Sequence, residues 1–192
     1  TYIRDIVNHN KIKNVADMGE LINVLASSIG SLTNPNKLQN TFKSVKKSTI
    51  TASTITKYIE CLEDAFLIES ANRYDIKGKS YIGTPLKYYF MDMGLRNVRI
   101  NFRQMEVTHA MENVIYNELR MRGYRVDVGN LTIFEPGKNG ITEKKQVEVD
   151  FICNKGSKKY YIQSAYRLAT EEKMAQEIRP FLKIHDSFTK IV

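Results

Sequence analysis

The residues best suited to chemistry lie in 147-VEVDFICNKGSKKYYIQSA-165, which reads as two strands joined by a turn around Gly156. If the hairpin is symmetric about that turn, Asp150 faces Gln163 and Glu148 faces Ala165, while Val149, Phe151 and Ile162 point the other way. A carboxylate and an amide then share one face of a strand pair whose opposite face is core-like. A second carboxylate, Glu112, sits on a predicted helix, beside the apolar stripe of Met111, Val114, Ile115 and Leu119 rather than within it. Oxygen donors of this kind suit a hard divalent cation near Asp150. A separate group is cationic: Lys43, Lys46 and Lys47 precede a helix whose outer face carries Ser53, Thr54, Lys57 and Glu60. Amines and hydroxyls so placed can contact phosphate or bases, although Glu60, Glu63 and Asp64 add negative charge to the same helix. Each group also has a structural reading: a solvated face for the lysines, an ion pair for Glu112, and a hydrogen-bond network joining Asp150 to Gln163.

The elements that must position these side chains can be traced in order. A short helix over 1–8 is followed by one within 11–30, where Met18, Leu21, Ile22, Leu25 and Ile29 recur at helical spacing up to Gly30. Thr33 or Asn34 caps the next helix, through about Phe42, with Pro35 at an early position where its missing N–H costs little. A third, leaving the short first one out of the count, spans 50–68, with Ile55, Tyr58, Ile59, Leu62 and Phe66 on one side. Strands over 67–74 and 80–90 come next, so the order is that of a winged helix with the third helix in the recognition position. Residues 91–97 read as a helical turn in which Arg96 meets an acidic partner, and a domain boundary falls between Asp92 and Glu106, near 98. Beyond it come a helix over 106–123, strands over 124–129 and 131–135, a polar loop over 136–146, the hairpin, and a helix over 168–184 interrupted around Pro180.

Composition narrows the class. In 192 residues, 29 Lys and Arg stand against 21 Asp and Glu, and 42% of the chain is hydrophobic, enough for a core and basic enough to permit an anionic partner. Cys61 and Cys153, the only cysteines, suggest neither a disulfide framework nor a Cys-based zinc site, and the three histidines have no ligand spacing. No apolar run reaches membrane-spanning length and the start has no secretory core, so a cytoplasmic location is the default expectation. The missing initiator Met suggests an excised piece.

Helix, strand, loop, strand with Asp and strand with an acidic or amide residue resembles the restriction-endonuclease-like arrangement. There a helix Glu and two strand carboxylates hold Mg²⁺, and a Lys two residues beyond the second carboxylate stabilises charge or helps activate water. The matching positions here are Glu112, Asp150 and Gln163, with Ala165 where that Lys would stand. The chain as a whole resembles the C-terminal domain of unknown function that follows the ATPase domain in prokaryotic AAA-type P-loop ATPases. The resemblance rests on TYIRDI, ITKYIECLEDAFLI, KYYFMDMGLRN, HAMENVIYNELRMRGYRVDVG, QVEVDF, YYIQSAYRL and the ending EEKMAQEIRPFLKIHDSFTKIV.

That resemblance implies an α/β or α+β chain: a winged-helix-like region over 1–98, then a mixed-sheet restriction-endonuclease-like domain over 99–192, truncated at its C-terminus. It also implies an upstream domain holding ATP and Mg²⁺. Gln163-Ser164-Ala165 departs from the Glu-x-Lys of many relatives, and no Gly-x-x-x-x-Gly-Lys-Ser/Thr element occurs here. The expectation is therefore a noncatalytic regulatory or interaction region whose partner is its own ATPase domain, a second protein or another copy. A DNA-binding module and a divalent-metal nuclease that has lost its activity are the alternatives.

Overall fold

A computed structural model describes residues 2–103, 106–136 and 141–192. Two compact units emerge, one of Thr1–Ser70 with Thr84–Asn113 and one of Ala71–Gly83 with Val114–Val192. The architecture is mixed α/β, an N-terminal helical region followed by an open multi-stranded sheet.

The first unit holds α1 (Tyr2–His9), α2 (Val15–Ser27), α3 (Pro35–Thr41) and α4 (Ala52–Asp64), the last three beginning at points set by their capping residues. Asn14, Asn34 and Thr51 accept hydrogen bonds from the backbone N–H groups of Asp17, Lys37 and Thr54, each satisfying an orphan donor of a first turn. After α3, Phe42–Lys46 forms one wide π turn that ends at Lys47 in the left-handed region, φ 51°. Met18, Leu21, Ile22 and Leu25 of α2 meet Leu38, Phe42, Ile55, Ile59 and Leu62 in one core. Each such side chain contributes about 1.5–3 kcal/mol on burial. The chain leaves through β1 (Ile68–Asp75) and returns through β2 (Ser80–Phe90).

The turn expected at 91–97 is a two-turn helix, α5 (Met93–Arg99), because Asp92 accepts from the N–H groups of Gly94 and Leu95 and so caps it. Among the described residues Arg96 donates to no carboxylate, although the Glu106 charge acts on it. It is 2% exposed and donates through Nε to the Ala26 carbonyl at 2.8 Å, satisfying one of the carbonyls left open at the end of α2.

Helix α6 (Val107–Met121) follows, and its buried side differs from the expected apolar stripe: Val114 is 50% exposed, whereas Glu112, Asn113 and Tyr116 are buried. Polar groups can take those positions because each has partners, described below.

In the second unit, the two strands expected over 124–135 are one, β3 (Arg125–Pro136). The expected loop over 136–146 is shorter than proposed, since Thr142–Gln146 already belong to β4 (Thr142–Lys155) and pair with Thr132–Pro136 of β3; residues 137–140 lie outside the described residues. The hairpin closes through β5 (Lys158–Ile162). Helix α7 (Glu171–Ile178) stops before Pro180, which lacks the N–H a helix needs, and a single 3₁₀ turn over Phe181–Lys183 leads to β6 (Thr189–Ile191). The sheet order is β2-β1-β3-β4-β5-β6, with β1–β3 and β5–β6 parallel and β3–β4–β5 antiparallel. Its core joins Leu131, Ile133, Val149, Ile152 and Tyr161 to Phe181 and Ile184.

Candidate functional site

In the first unit, Glu112 is held by two neighbours from β2. Its Oε1 accepts from Lys87 Nζ at 2.9 Å and from the Tyr89 hydroxyl at 2.5 Å, with Lys87 3% and Tyr89 0% exposed. Alternation along β2 puts Lys87 and Tyr89 on one side, which is why both reach the same oxygen. Its other oxygen, Oε2, lies 3.3 Å from where a Cβ on Gly30 would stand, and His109 Cδ2 lies 3.1 Å from that point. Gly30, at φ +71°, is therefore needed both for its backbone conformation and for the space it leaves. One residue along, Asn113 is fully buried: its Oδ1 accepts from the Phe90 N–H at 2.8 Å and its Nδ2 donates to the Phe90 carbonyl at 2.7 Å. The amide thus imitates a strand partner for β2.

In the second unit, the hairpin register is the symmetric one: Phe151 pairs with Ile162 and Lys155 with Lys158. The Asp150 N–H accordingly donates to Gln163 Oε1, at 3.4 Å. Its carboxylate does something the sequence did not suggest, because Oδ2 accepts both the Ser164 N–H at 2.7 Å and the Ser164 hydroxyl at 2.8 Å. The ladder ends at Ile162, and the Gln163 N–H turns to the Ile191 carbonyl at 2.9 Å, so Glu148 and Ala165 are not partners within it.

The expected strict alternation also fails, for a definite reason. Asp127 pairs with Ile152 and Gly129 with Val149, so Asp150 and Phe151 together oppose Val128. This is a β-bulge, and one extra residue reverses the alternation across it. Val149 and Ile152 consequently enter the same core, and Phe151 lies with Tyr116, ring centres 6.3 Å apart. Gly129 sits opposite the bulge, where a Cβ would come 2.8 Å from Val149 Cβ.

Glu112 thus belongs to the first unit, and Asp150 and Gln163 to the second. Among the described residues, no group of three His, Cys, Asp or Glu side chains is placed to hold a metal ion. Burial pushes the Cys153 thiol up to about 12, far from a reactive thiolate. Of the cationic candidates, Lys43, Lys47 and Lys57 are exposed, as is Ser53, while the Lys46 side chain lies outside what is described. None of the described helices is long and apolar enough to cross a membrane.

Sequence reasoning missed Lys87, Tyr89 and Ser164 as partners. Tyr89 reads as a core or interface aromatic, nothing beside Lys87 points to a carboxylate, and Ser164 stands between the two positions on which the nuclease comparison concentrates attention. The hydroxyl beside Gln163 was the available signal.

A family model described as a domain of unknown function, DUF8612, matches residues 1–106. An uncharacterised protein of Haemophilus influenzae is 34% identical over 190 residues, 99% of this chain and 43% of that protein. One from Methanocaldococcus jannaschii is 29% identical over 182 residues, 95% of this chain and 38% of its own length. The chain therefore spans less than half the length of these relatives. No solved structure matches. With the family model covering more than half of its residues, the chain belongs to the DUF8612 family.

Proposed function

We propose that this chain is a noncatalytic regulatory or interaction region of a prokaryotic P-loop ATPase, a winged-helix-like part joined to a restriction-endonuclease-like scaffold, with the ATP-binding domain outside these residues. The observation that carries the reading is the commitment of the two carboxylates. Glu112 serves as the buried counter-ion of Lys87, and Asp150 Oδ2 is taken up by Ser164, where a nuclease would turn its carboxylate oxygens toward a metal. Gln163 and Ala165 remove the second anionic ligand and the lysine. Relatives more than twice as long leave room for a further domain. The test is to incubate the purified chain with labelled DNA and Mg²⁺ or Mn²⁺, and separately with ATP. No cleavage or turnover attributable to the chain is expected. DNA cleavage abolished by both E112A and D150A, or ATP turnover abolished by a substitution within these residues, would overturn the proposal.

A second reading, DNA binding through α4 and the turn before it, draws support from the exposure of Lys43, Lys47, Lys57 and Ser53. Binding through these cations is expected to weaken steeply with salt and with Lys→Glu substitutions. Affinity unchanged by those substitutions rejects it.

A further inference from the structure

Cross-strand partners share a sheet face. In the second unit, the pairs Arg125↔Asn154, Asp127↔Ile152, Asn154↔Lys159 and Ile152↔Tyr161 therefore set Arg125, Asp127, Asn154 and Lys159 side by side. With Tyr74 and Tyr81 they line a cavity of about 230 Å³. Liquid water occupies about 30 Å³ per molecule, so the space suits roughly eight non-hydrogen atoms. That is a metabolite fragment or an amino acid, and well short of a nucleotide.

The charges in this cavity are incompletely matched. Asp127 is 4% exposed, yet among the described residues it has no ion-pair partner. Its Oδ2 accepts the Tyr81 hydroxyl at 3.2 Å, and none of the described residues donates to Oδ1. Burial raises its carboxyl above the usual range, against the opposing pull of the Tyr81 hydrogen bond, Arg125, Arg120 and Lys159. Lys159 Nζ stands 5.8, 5.0 and 5.1 Å from the ring centres of Tyr74, Tyr161 and Phe188, a cation–π setting with no carboxylate partner among the described residues. Arg125 likewise forms no ion pair among them.

We propose that this cavity binds a small zwitterion of amino-acid size, its ammonium group on Asp127 and its carboxylate on Arg125 and Lys159. A plain anion would meet the two cations but leave Asp127 Oδ1 without a donor and facing like charge. A plain cation would meet Asp127 and be repelled by Arg125 and Lys159. Only a ligand carrying both signs satisfies every group, through charge-assisted hydrogen bonds strengthened by partial exclusion of water. The edge-on pair of Tyr74 and Tyr81, centres 5.3 Å apart, offers an apolar wall for a short side chain.

The test is calorimetric titration of the 192-residue chain with a panel of free L-amino acids, each accompanied by its N-acetyl derivative and its amide. At least one amino acid should bind one-to-one, with blocking of either end weakening it by about tenfold or more. R125A and D127A should each weaken it by a similar factor. Because Arg125 is an exposed position, R125A keeps the test open if D127A does not fold. Three results would overturn the proposal: no saturation by any member up to about 10 mM, acetate or inorganic phosphate binding as tightly as the best amino acid, or affinity indifferent to the substitutions.

Discussion

Replacing Glu112 by alanine distinguishes a structural carboxylate from a catalytic one by the sign of the stability change. In this structure Lys87 is 3% exposed and has Glu112 Oε1 at 2.9 Å, with the Tyr89 hydroxyl on the same oxygen at 2.5 Å. Removing one member of a buried ion pair takes from the other charge its close counter-ion and costs about 3–5 kcal/mol. The deprived tyrosine hydroxyl is part of that figure rather than an addition to it, because the three groups act as one network. For a urea slope of about 2.5 kcal/mol/M, the midpoint should fall by roughly 1.2–2 M. The chain has no tryptophan, so far-ultraviolet circular dichroism is the suitable probe. A K87M/E112L double variant should recover part of the loss, since the apolar pair carries no charge to desolvate while the Tyr89 hydroxyl still loses its bond to Glu112. A carboxylate kept for metal binding behaves oppositely, because in the absence of metal its removal relieves repulsion. If E112A loses less than about 1 kcal/mol or gains stability, the assignment of Glu112 to a structural pair is refuted.

Three further outcomes follow from the same packing. N113A should cost about 2–4 kcal/mol, because the two-pointed bond to Phe90 is lost at a fully buried position, and urea unfolding measures it. G129A should cost about 1–3 kcal/mol by forcing a methyl group toward Val149 Cβ, and it should broaden amide resonances around the bulge if the strands separate to make room. Asp127 gives a pH dependence. Burial raises its carboxyl above the ordinary carboxylate range, so its contribution to stability is present below the unfolded value and declines as pH rises through the higher folded one. D127N should remove that decline, and urea midpoints of both proteins across about pH 3 to 8 check it. Parallel curves would contradict the assignment.

Much of the arrangement could be read from local chemistry. Asn34 before Pro35 and Thr51 before the stripe of Ile55, Ile59 and Leu62 each fix a helix start through a bond made within a few residues, and Gly156, at φ 59°, marks the hairpin turn. The hairpin register follows from symmetry about its turn, which is why the sequence alone pairs Asp150 with Gln163. What stayed hidden depends on partners distant in sequence. Glu112 is buried because Lys87 and Tyr89 arrive from a strand more than twenty residues away, and periodicity along α6 carries no trace of them. The bulge at Asp150 arises from a one-residue mismatch between β3 and β4, a property of the pair that neither strand shows alone. Asp127 carried no signal within its own strand, because its enclosure comes from Tyr74 and Tyr81 across the sheet.

The most direct test of the central claim is the rate of ATP turnover by the intact polypeptide, compared with a version lacking this region and with one carrying E112A in it. The account predicts nucleotide turnover in the intact protein whose rate or partner dependence changes when this region is deleted or its first unit is destabilised. An intact polypeptide that shows no nucleotide turnover, or one whose turnover is indifferent to loss of the whole region, would contradict it.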